Sequence, residues 1–492
     1  MKFLIKLSPE IIIKSRSVRK KAISRLRGNI FKHLDEELID AEVSGNWDRI
    51  HVEVSDLESK EKVMHVLKNI PGIGWLSEID EFIIPEILTG TQEEIFVCVS
   101  KQALKYFLSK IRSKSFVVRI KRSGDHDFKS PDLEAHVGGD LLEAGENTRV
   151  QLRNPDFTAE MEIKDDTLCI VKHKIQGLSG YPVWFQWKVL SLISGGFDSW
   201  VSTYSLMKRG CLVDFLFFNL GWSAHELGVK QVSHHLWKTF SLPYRNARII
   251  IVPFEEVLKE IILKTPSTYR SVILKRCMIS VASKISLENH YAIVKGDSLG
   301  QVSSQTLENL HVIDRASEQL VLRPLISMNK QEIIEVAKQI GTYDFACSMP
   351  EYCGVVSQKP STAAKLEKIE DIEKWFPQEV LDQAIENKRT EYVREVFTES
   401  SSKGKEIEYT NTQQAGEIII DIREPEKTQK SPLSQKWFEQ YECIPFYDIN
   451  HTFEKLDQDK TYLFYCDVGT LSELHGLYLK EKGFENIKVL RV

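Results

Sequence analysis

The fold turns on the stretch Val189-Leu190-Ser191-Leu192-Ile193-Ser194-Gly195-Gly196-Phe197-Asp198-Ser199. Its apolar half has the pattern of a buried strand. It runs into a Ser-Gly-Gly turn, and a helix is predicted to begin at Asp198 or Ser199. The two glycines let the backbone approach an anion closely, while the helix start offers unpaired N–H groups and the positive end of the helix dipole. This is a phosphate cradle. No Gly-Lys-Ser/Thr follows, so it is not the P-loop of kinase-like nucleoside triphosphatases. The same residues would also serve as a plain strand-turn-helix connection, and the choice between the two rests on what surrounds them.

Working outward, the region from about 178 alternates buried strands with helices, which implies a parallel sheet. The predicted strands are 189–193, 212–218, 249–252, 292–295 and 320–322. Helices are predicted to start near Asp198, Ala224, Glu255 and Val272, and another runs from Lys330 to Ile340, with Gly341 placed as its C-cap. Ligands of open α/β sheets bind outside the carboxyl ends of the strands, which is where the cradle falls. The segment Val294-Lys295-Gly296-Asp297-Ser298-Leu299-Gly300-Gln301-Val302-Ser303-Ser304-Gln305-Thr306 likewise ends a buried strand in a loop rich in glycine, amides and hydroxyls. Such a loop can hydrogen-bond an adenine or a ribose, or simply connect a strand to a helix. Ser298 is not the central residue of a hydrolase elbow. His234 and His235 read as helix surface or core rather than as ligands.

Upstream, residues 1 to about 75 read as strand, basic helix, strand (49–54) and helix, an α+β unit of ferredoxin-like pattern. Eight basic residues and no acidic one lie between Lys14 and Lys32. A cluster of that kind on a helix is either a footprint for a phosphate backbone or a solvated face. A second α+β segment, 76 to 175, carries the strand Ser115-Phe116-Val117-Val118-Arg119-Ile120-Lys121-Arg122 between two helices.

Downstream, residues 362 to 398 read as charged and helical, 399 to 414 as a polar linker, and 415 to 492 as a final α/β unit. Cys466 stands there at the end of an apolar strand, where a Gly-containing loop turns into a helix. Loop N–H groups and a helix N-terminus stabilise a thiolate, although a buried structural cysteine is the commoner fate. Cys353, in Met349-Pro350-Glu351-Tyr352-Cys353-Gly354, lies on a Pro- and Gly-bounded loop and is equally open to a functional or a structural role. Cys347, six residues earlier, reads as a surface or core thiol. Cys98, Cys169, Cys211 and Cys277 fall in apolar patterns of strands or helices and read as packing residues.

At 492 residues the chain is too long for one core, and about three domains are expected. Its 42% apolar and 27% charged residues exclude wholesale disorder. No apolar run reaches the roughly 20 residues of a membrane span, and the N-terminus lacks a signal-peptide core. Eight cysteines with neither CxxC nor zinc spacing point to a reducing compartment and to no metal held by the protein alone. A cytoplasmic protein without a membrane partner is expected.

Together these pieces resemble the bacterial tRNA uridine 4-sulfurtransferase family, which also serves thiamine biosynthesis, over essentially the whole chain. The cradle is similar to the PP-loop of ATP pyrophosphatases, which release pyrophosphate as they adenylate a substrate. Further marks are Phe116–Arg122 with Asp125-His126-Asp127-Phe128, Phe218-Asn219-Leu220-Gly221, Leu299–Gln305, Arg323-Pro324-Leu325-Ile326 and Met349–Gly354. The fold so implied is a multidomain α/β protein. It has a ferredoxin-like unit (1–75), a THUMP RNA-binding domain (76–175), a PP-loop adenylating domain (178–398), the linker (399–414) and a rhodanese-like domain (415–492).

The resemblance implies ATP-dependent adenylation of C4 of uridine 8 in tRNA, followed by replacement of that oxygen with sulfur. Asp198 and Lys330 would act in catalysis. Leu192, Ile193, Ser194, Gly195, Gly196, Phe197, Ser199, Lys275, Gly296 and Gln305 would bind ATP, with Mg²⁺ on its phosphates. A cysteine desulfurase would load a persulfide on Cys466, and Cys353 would then form a Cys353–Cys466 disulfide that a reductant must reopen. Lys20, Lys21, Arg25, Arg119, Lys121 and Arg122 would contact tRNA, and a homodimer is compatible with a tRNA that spans two subunits. The loop after Cys466 departs from the family, with Asp467 and Glu473 where arginines are usual, and nearby carboxylates raise a thiol pKa. Two other readings keep the fold: a sulfur carrier for thiamine thiazole synthesis alone, and a tRNA-binding protein with vestigial catalytic parts.

Overall fold

The computed structural model describes residues 1–45, 49–56, 59–220, 223–289, 292–347, 359–396, 407–423, 428–429, 431–433, 441–445, 448–449, 452–466 and 470–491. Its compact units are Met1–Phe185 and Gln186–Val492.

The first unit is built on one eight-stranded sheet in the order β2-β3-β1-β4-β8-β7-β5-β6. Strands β1 (Lys2–Leu7), β2 (Ala41–Ser44), β3 (Arg49–Val54) and β4 (Ile73–Ile83), with helices Arg16–Glu36 and Lys60–Lys68, complete the βαββαβ pattern of a ferredoxin-like unit. The remaining strands are β5 (Ser115–Ser123), β6 (Arg149–Val150), β7 (Phe157–Lys164) and β8 (Thr167–Gln176). β4 pairs with β1 on one side and with β8 on the other. The boundary expected near 75 therefore falls inside a strand that both halves share. Alternation along each strand sends Phe3, Ile5 and Leu7, or Phe116, Val118 and Ile120, into cores shared with the helices. Lys6, Arg49, Lys121 and the buried acids opposite them, Glu162 and Glu160, occupy the other face.

In the second unit the sheet that carries the cradle is ordered β13-β12-β9-β10-β11-β14. Its strands are β9 (Lys188–Ile193), β10 (Leu212–Asn219), β11 (Arg248–Pro253), β12 (Ala292–Val294), β13 (Val321–Leu322) and β14 (Arg389–Tyr392). All pair in parallel except β14, which adds antiparallel to β11. This edge strand lies inside the stretch expected to be helical. Tyr392 and Thr390 suit a pleated edge, and Glu391 there meets Lys230. Leu212–Phe218 is buried throughout, as a strand covered on both faces must be. Gly341 has φ +72° and ends the helix Lys330–Gln339 in the left-handed conformation expected of a C-cap glycine.

A third sheet, β15-β19-β18-β16-β17, is parallel throughout. It comprises β15 (Glu408–Thr410), β16 (Ile418–Asp421), β17 (Tyr441–Cys443), β18 (Tyr462–Tyr465) and β19 (Ile487–Leu490). β15 lies within the expected linker. Tyr409 and Thr410 are strand formers, and Lys488 of β19 anchors Glu408 at 3.0 Å. Linker residues 399–406 fall outside the described residues. Among the described residues no helix is long and apolar enough to cross a membrane.

Candidate active site

From β9 the chain moves outward through β10 and β11, then returns to place β12 on the other side of β9. The crevice between the carboxyl ends of β9 and β12 is thus a topological switch point, the usual ligand position of an open α/β sheet. A cleft of about 300 Å³ opens there. Leu192, Ile193, Ser194, Gly195, Gly196, Asp198 and Ser199 line it from the β9 side, Gly296 and Gln305 from the β12 side, and Lys275 from the helix Arg270–Leu287. Of the residues expected to bind the nucleotide, Phe197 alone is not in the lining. Its ring packs on Tyr343 at 5.5 Å and under the Lys330 ammonium at 5.2 Å.

Ser199 shapes the cradle. Its Oγ accepts from the Ser194 N–H at 3.1 Å and can donate to the carbonyls of Ser194 and Gly196, 3.2 and 3.0 Å away. The helix Phe197–Lys208 starts from Gly196 with no side-chain cap, so its first N–H groups are left for an anion. Asp198 is held from two sides. Lys330 Nζ reaches Oδ1 at 3.0 Å, and Gln301 Nε2 donates to Oδ2 at 2.8 Å. Gly296 packs directly on this helix start: a Cβ there would stand 2.5 Å from the carbonyl carbon and oxygen of Asp198. A side chain at 296 would therefore push the two loops apart.

Leu192, Phe218, Leu274 and Met278 supply an apolar wall. Gln301 and Gln305 use their amide nitrogens on Asp198 and Asp297, which leaves the buried carbonyl oxygen of each without a partner. Buried acceptors of this kind suit the amino group or hydroxyls of a nucleoside. Two charged residues that sequence reasoning did not single out as ligands, Lys295 and Asp297, complete the wall, and Arg323 stands behind Asp297. Asp297 lies 3.0 Å from Lys295, 3.1 Å from Arg323 and 3.7 Å from Lys275. Burial alone would raise its carboxyl, but the three cations outweigh that and hold it well below the usual range. The available signal was the pair of opposite charges flanking Gly296 at the end of a buried strand.

Cys353 falls outside the described residues. Of the residues on either side of it, Tyr343 packs on Phe197, and Pro360 lines the cleft. Asn309 ties that return segment down, donating to the Ser361 carbonyl at 2.8 Å and accepting from the Ala364 N–H at 2.9 Å.

Cys466 follows β18, is 5% exposed, and accepts from the Ser472 N–H at 3.4 Å in the first turn of the helix Thr470–Glu481. Residues 467–469 lie outside the described residues. Glu473 is engaged by Arg491 at 3.4 Å, so its charge is partly neutralised. On the neighbouring strand Asp421 forms a buried bidentate pair with Arg423. Cys443, which sequence reasoning passed over, is exposed at the end of β17 and bonds the Tyr441 hydroxyl at 3.0 Å. Burial pushes the thiols of Cys169 and Cys277 up to about 12 and that of Cys211 up to about 11, which suits packing residues. Cys347 is exposed.

In the first unit Lys20, Lys21 and Arg25 are exposed on the helix Arg16–Glu36, whereas Arg27 is spent on the carbonyls of Val43 and Gly45. Arg119 and Lys121 are exposed on β5 beside Glu134 and Glu160. Arg122 points to the opposite face, donates to the His126 carbonyl at 2.7 Å and covers the Phe128 ring. It pins the turn after β5.

Comparisons with known proteins agree with this layout. A model of the thiamine biosynthesis protein family (ThiI) matches residues 185–377, and a ThiI ferredoxin-like domain model matches 2–77. A THUMP domain model matches 91–171, and a rhodanese-like domain model matches 407–491. The chain is 44% identical to the tRNA sulfurtransferases of Shigella dysenteriae serotype 1 and Escherichia coli K12, over 100% of each chain. A solved 4-thiouridine synthetase–RNA complex with bound ATP superimposes with a TM-score of 0.66 at 26% identity, covering 80% of this chain and 99% of that one.

Proposed function

Because the chain belongs to the tRNA sulfurtransferase family, we propose that the cleft between β9 and β12 is where it activates tRNA, and that Cys466 supplies the sulfur. The enzyme transfers sulfur to tRNA at the expense of ATP and makes 4-thiouridine. The observation that carries the assignment of the site is the convergence of the uncapped helix start, Lys275, Gly296 and Gln305 on one cleft of nucleotide size.

ATP binds with its phosphates at the Ser194–Ser199 loop and its nucleoside against the apolar wall, where Gln305 accepts a hydrogen bond. O4 of uridine 8 attacks the α-phosphorus and pyrophosphate leaves, which turns a poor leaving oxygen into AMP. Helix N–H groups and Lys275 stabilise the charge that develops, and Lys330 fixes the Asp198 carboxylate at the edge of the reaction. Mg²⁺ bound to the phosphates would neutralise further charge, with Asp198 the carboxylate the cradle offers it. The terminal sulfur of the Cys466 persulfide attacks C4 and AMP departs. The Cys353 thiolate then attacks Cys466 Sγ and releases 4-thiouridine, leaving a Cys353–Cys466 disulfide. The attachment of Tyr343 and Pro360 to the cleft supports this role for the segment between them.

The persulfide comes from a cysteine desulfurase, and a dithiol reductant reopens the disulfide. A cycle through free thiols on a tRNA substrate fits the cytoplasm. We retain divisions near 75, 175 and 398, with the first two parts joined through β4 and the last unit beginning by β15, and a homodimer as the arrangement for tRNA capture. Cys466 stands on a parallel sheet of its own, and this favours a second duty of its persulfide, sulfur donation to thiamine thiazole.

The test combines purified protein, unmodified tRNA, cysteine, a desulfurase and reductant, with and without ATP, and reads 4-thiouridine by its near-ultraviolet absorbance. Product that requires ATP and disappears in Cys466→Ser is expected. Thiolation without ATP would refute the assignment of the cleft. Full activity of Cys466→Ser with the desulfurase as sole donor would refute that of the thiol.

A further inference from the structure

The mechanism above leaves Lys295 and Asp297 without a task, although both are buried in the wall of the cleft. A lysine side chain about nine-tenths buried is costly unless it is paired or faces a ligand. Among the described residues Lys295 has one anionic neighbour, Asp297, which it shares with Lys275 and Arg323. Arg323 has a second carboxylate, since its Nη1 donates to Asp314 at 2.8 Å. Lys275 and Lys295 are left with a single carboxylate between them. Asp198, whose backbone Gly296 touches, turns its own carboxylate to Lys330 and Gln301. The described residues of the cleft therefore hold one positive charge in excess, beside an uncapped helix start of the same polarity. An ammonium in that position gains most from an anion entering the cleft.

We propose that Lys295 is a phosphate-binding residue of the ATP site and that Asp297 is its positioning residue, holding Lys295, Lys275 and Arg323 on one side of the nucleotide. The proposal rests on the assignment of the cleft to ATP. Burial lowers the affinity of Lys295 for its proton, Lys275 and Arg323 lower it further, and Asp297 opposes them. Loss of the Asp297 charge would make Lys295 give up its proton at a lower pH and take its positive charge out of the site.

The test is titration of the full-length protein with ATP, without tRNA, across about pH 6 to 10. The same protein is assayed separately for tRNA-dependent pyrophosphate release. Lys295→Met is expected to weaken ATP binding about 10- to 100-fold, the worth of one charge-assisted hydrogen bond, and Lys295→Arg to recover part of it. Asp297→Asn is expected to bind nearly as wild type at the acid end and to lose affinity as pH rises, from a lower pH than wild type. Disturbed packing alone would lower affinity by the same factor at every pH. Wild type needs no substitution: ATP binding is expected to take up protons at the alkaline end, read as a dependence of the heat on the ionisation enthalpy of the buffer. Wild-type affinity in Lys295→Met, a pH-independent deficit in Asp297→Asn, or no proton uptake by wild type would each overturn the proposal. A wild type that binds ATP but releases no pyrophosphate with tRNA would refute the adenylation step instead, and the titrations would still decide the role of Lys295.

Discussion

Two loops of this molecule are the same device put to different chemical use. Ser194–Ser199 follows β9 and Cys466–Thr470 follows β18. In both, a parallel strand ends and a helix begins within five residues, at Phe197 and at Thr470. The first loop is small and glycine-rich and carries one charge of its own, Asp198. Its environment supplies the cations: Lys330 on Asp198, and Lys275 and Lys295 held by Asp297. The second loop carries its reagent in the chain, as the Cys466 thiol beneath the Ser472 N–H. A phosphate binds many weak donors and tolerates some redundancy among them. A sulfur carrier has one atom that matters.

The largest effect should therefore come from the second loop. Cys466→Ser should reduce desulfurase-dependent thiolation to background while tRNA-dependent pyrophosphate release, the product of adenylation, continues through its first turnover; an equal fall in both would merge the two loops into one function. In the first loop, Asp198→Ala frees Lys330 and Gln301 and should slow tRNA-dependent pyrophosphate release about 10²- to 10³-fold, on the scale of removing one preorganised electrostatic group. Persulfide loading on Cys466, followed by radiolabelled sulfur, should not change. Gly296→Ala should cost about 1–3 kcal/mol through the clash with the Asp198 backbone and weaken ATP binding in parallel, as melting and titration will show. Unaltered ATP affinity would mean that the close approach of the two loops does not matter to the nucleotide.

Away from both loops the expected effects are smaller and are graded by number rather than by identity. Lys20, Lys21 and Arg25 changed together to alanine should weaken tRNA binding and reduce the salt slope by about 0.7–0.9 for each phosphate no longer neutralised. An unchanged slope would return the helix Arg16–Glu36 to a solvated face. Arg122→Ala should leave that slope intact and cost about 1 kcal/mol of stability, because its guanidinium serves the turn at His126.

Arg122 also shows where sequence reasoning stops. Its spacing from Arg119 is odd, so on a strand it belongs to the opposite face, and the pleat separates it from Arg119 and Lys121, with which it was expected to contact tRNA. β14 was hidden for a related reason: Arg389–Tyr392 is short and polar, and it is a strand because β11 offers it an unpaired edge. Asp297 and Lys295 were legible as charges at a strand end, but their shared burial with Arg323 depends on a residue 26 positions away in the chain.

What could be read locally was read well. The cradle at Ser194–Ser199, the alternation of strands and helices, the C-cap at Gly341 and the place of Cys466 after its strand are set by glycine, helix-start chemistry and apolar periodicity, which act over a few residues. The sharing of β4, the meeting of Gly296 with Asp198, and the balance of cations around Asp297 arise from the packing of distant segments. Their energies depend on burial and on distance, and no linear pattern of residues encodes either.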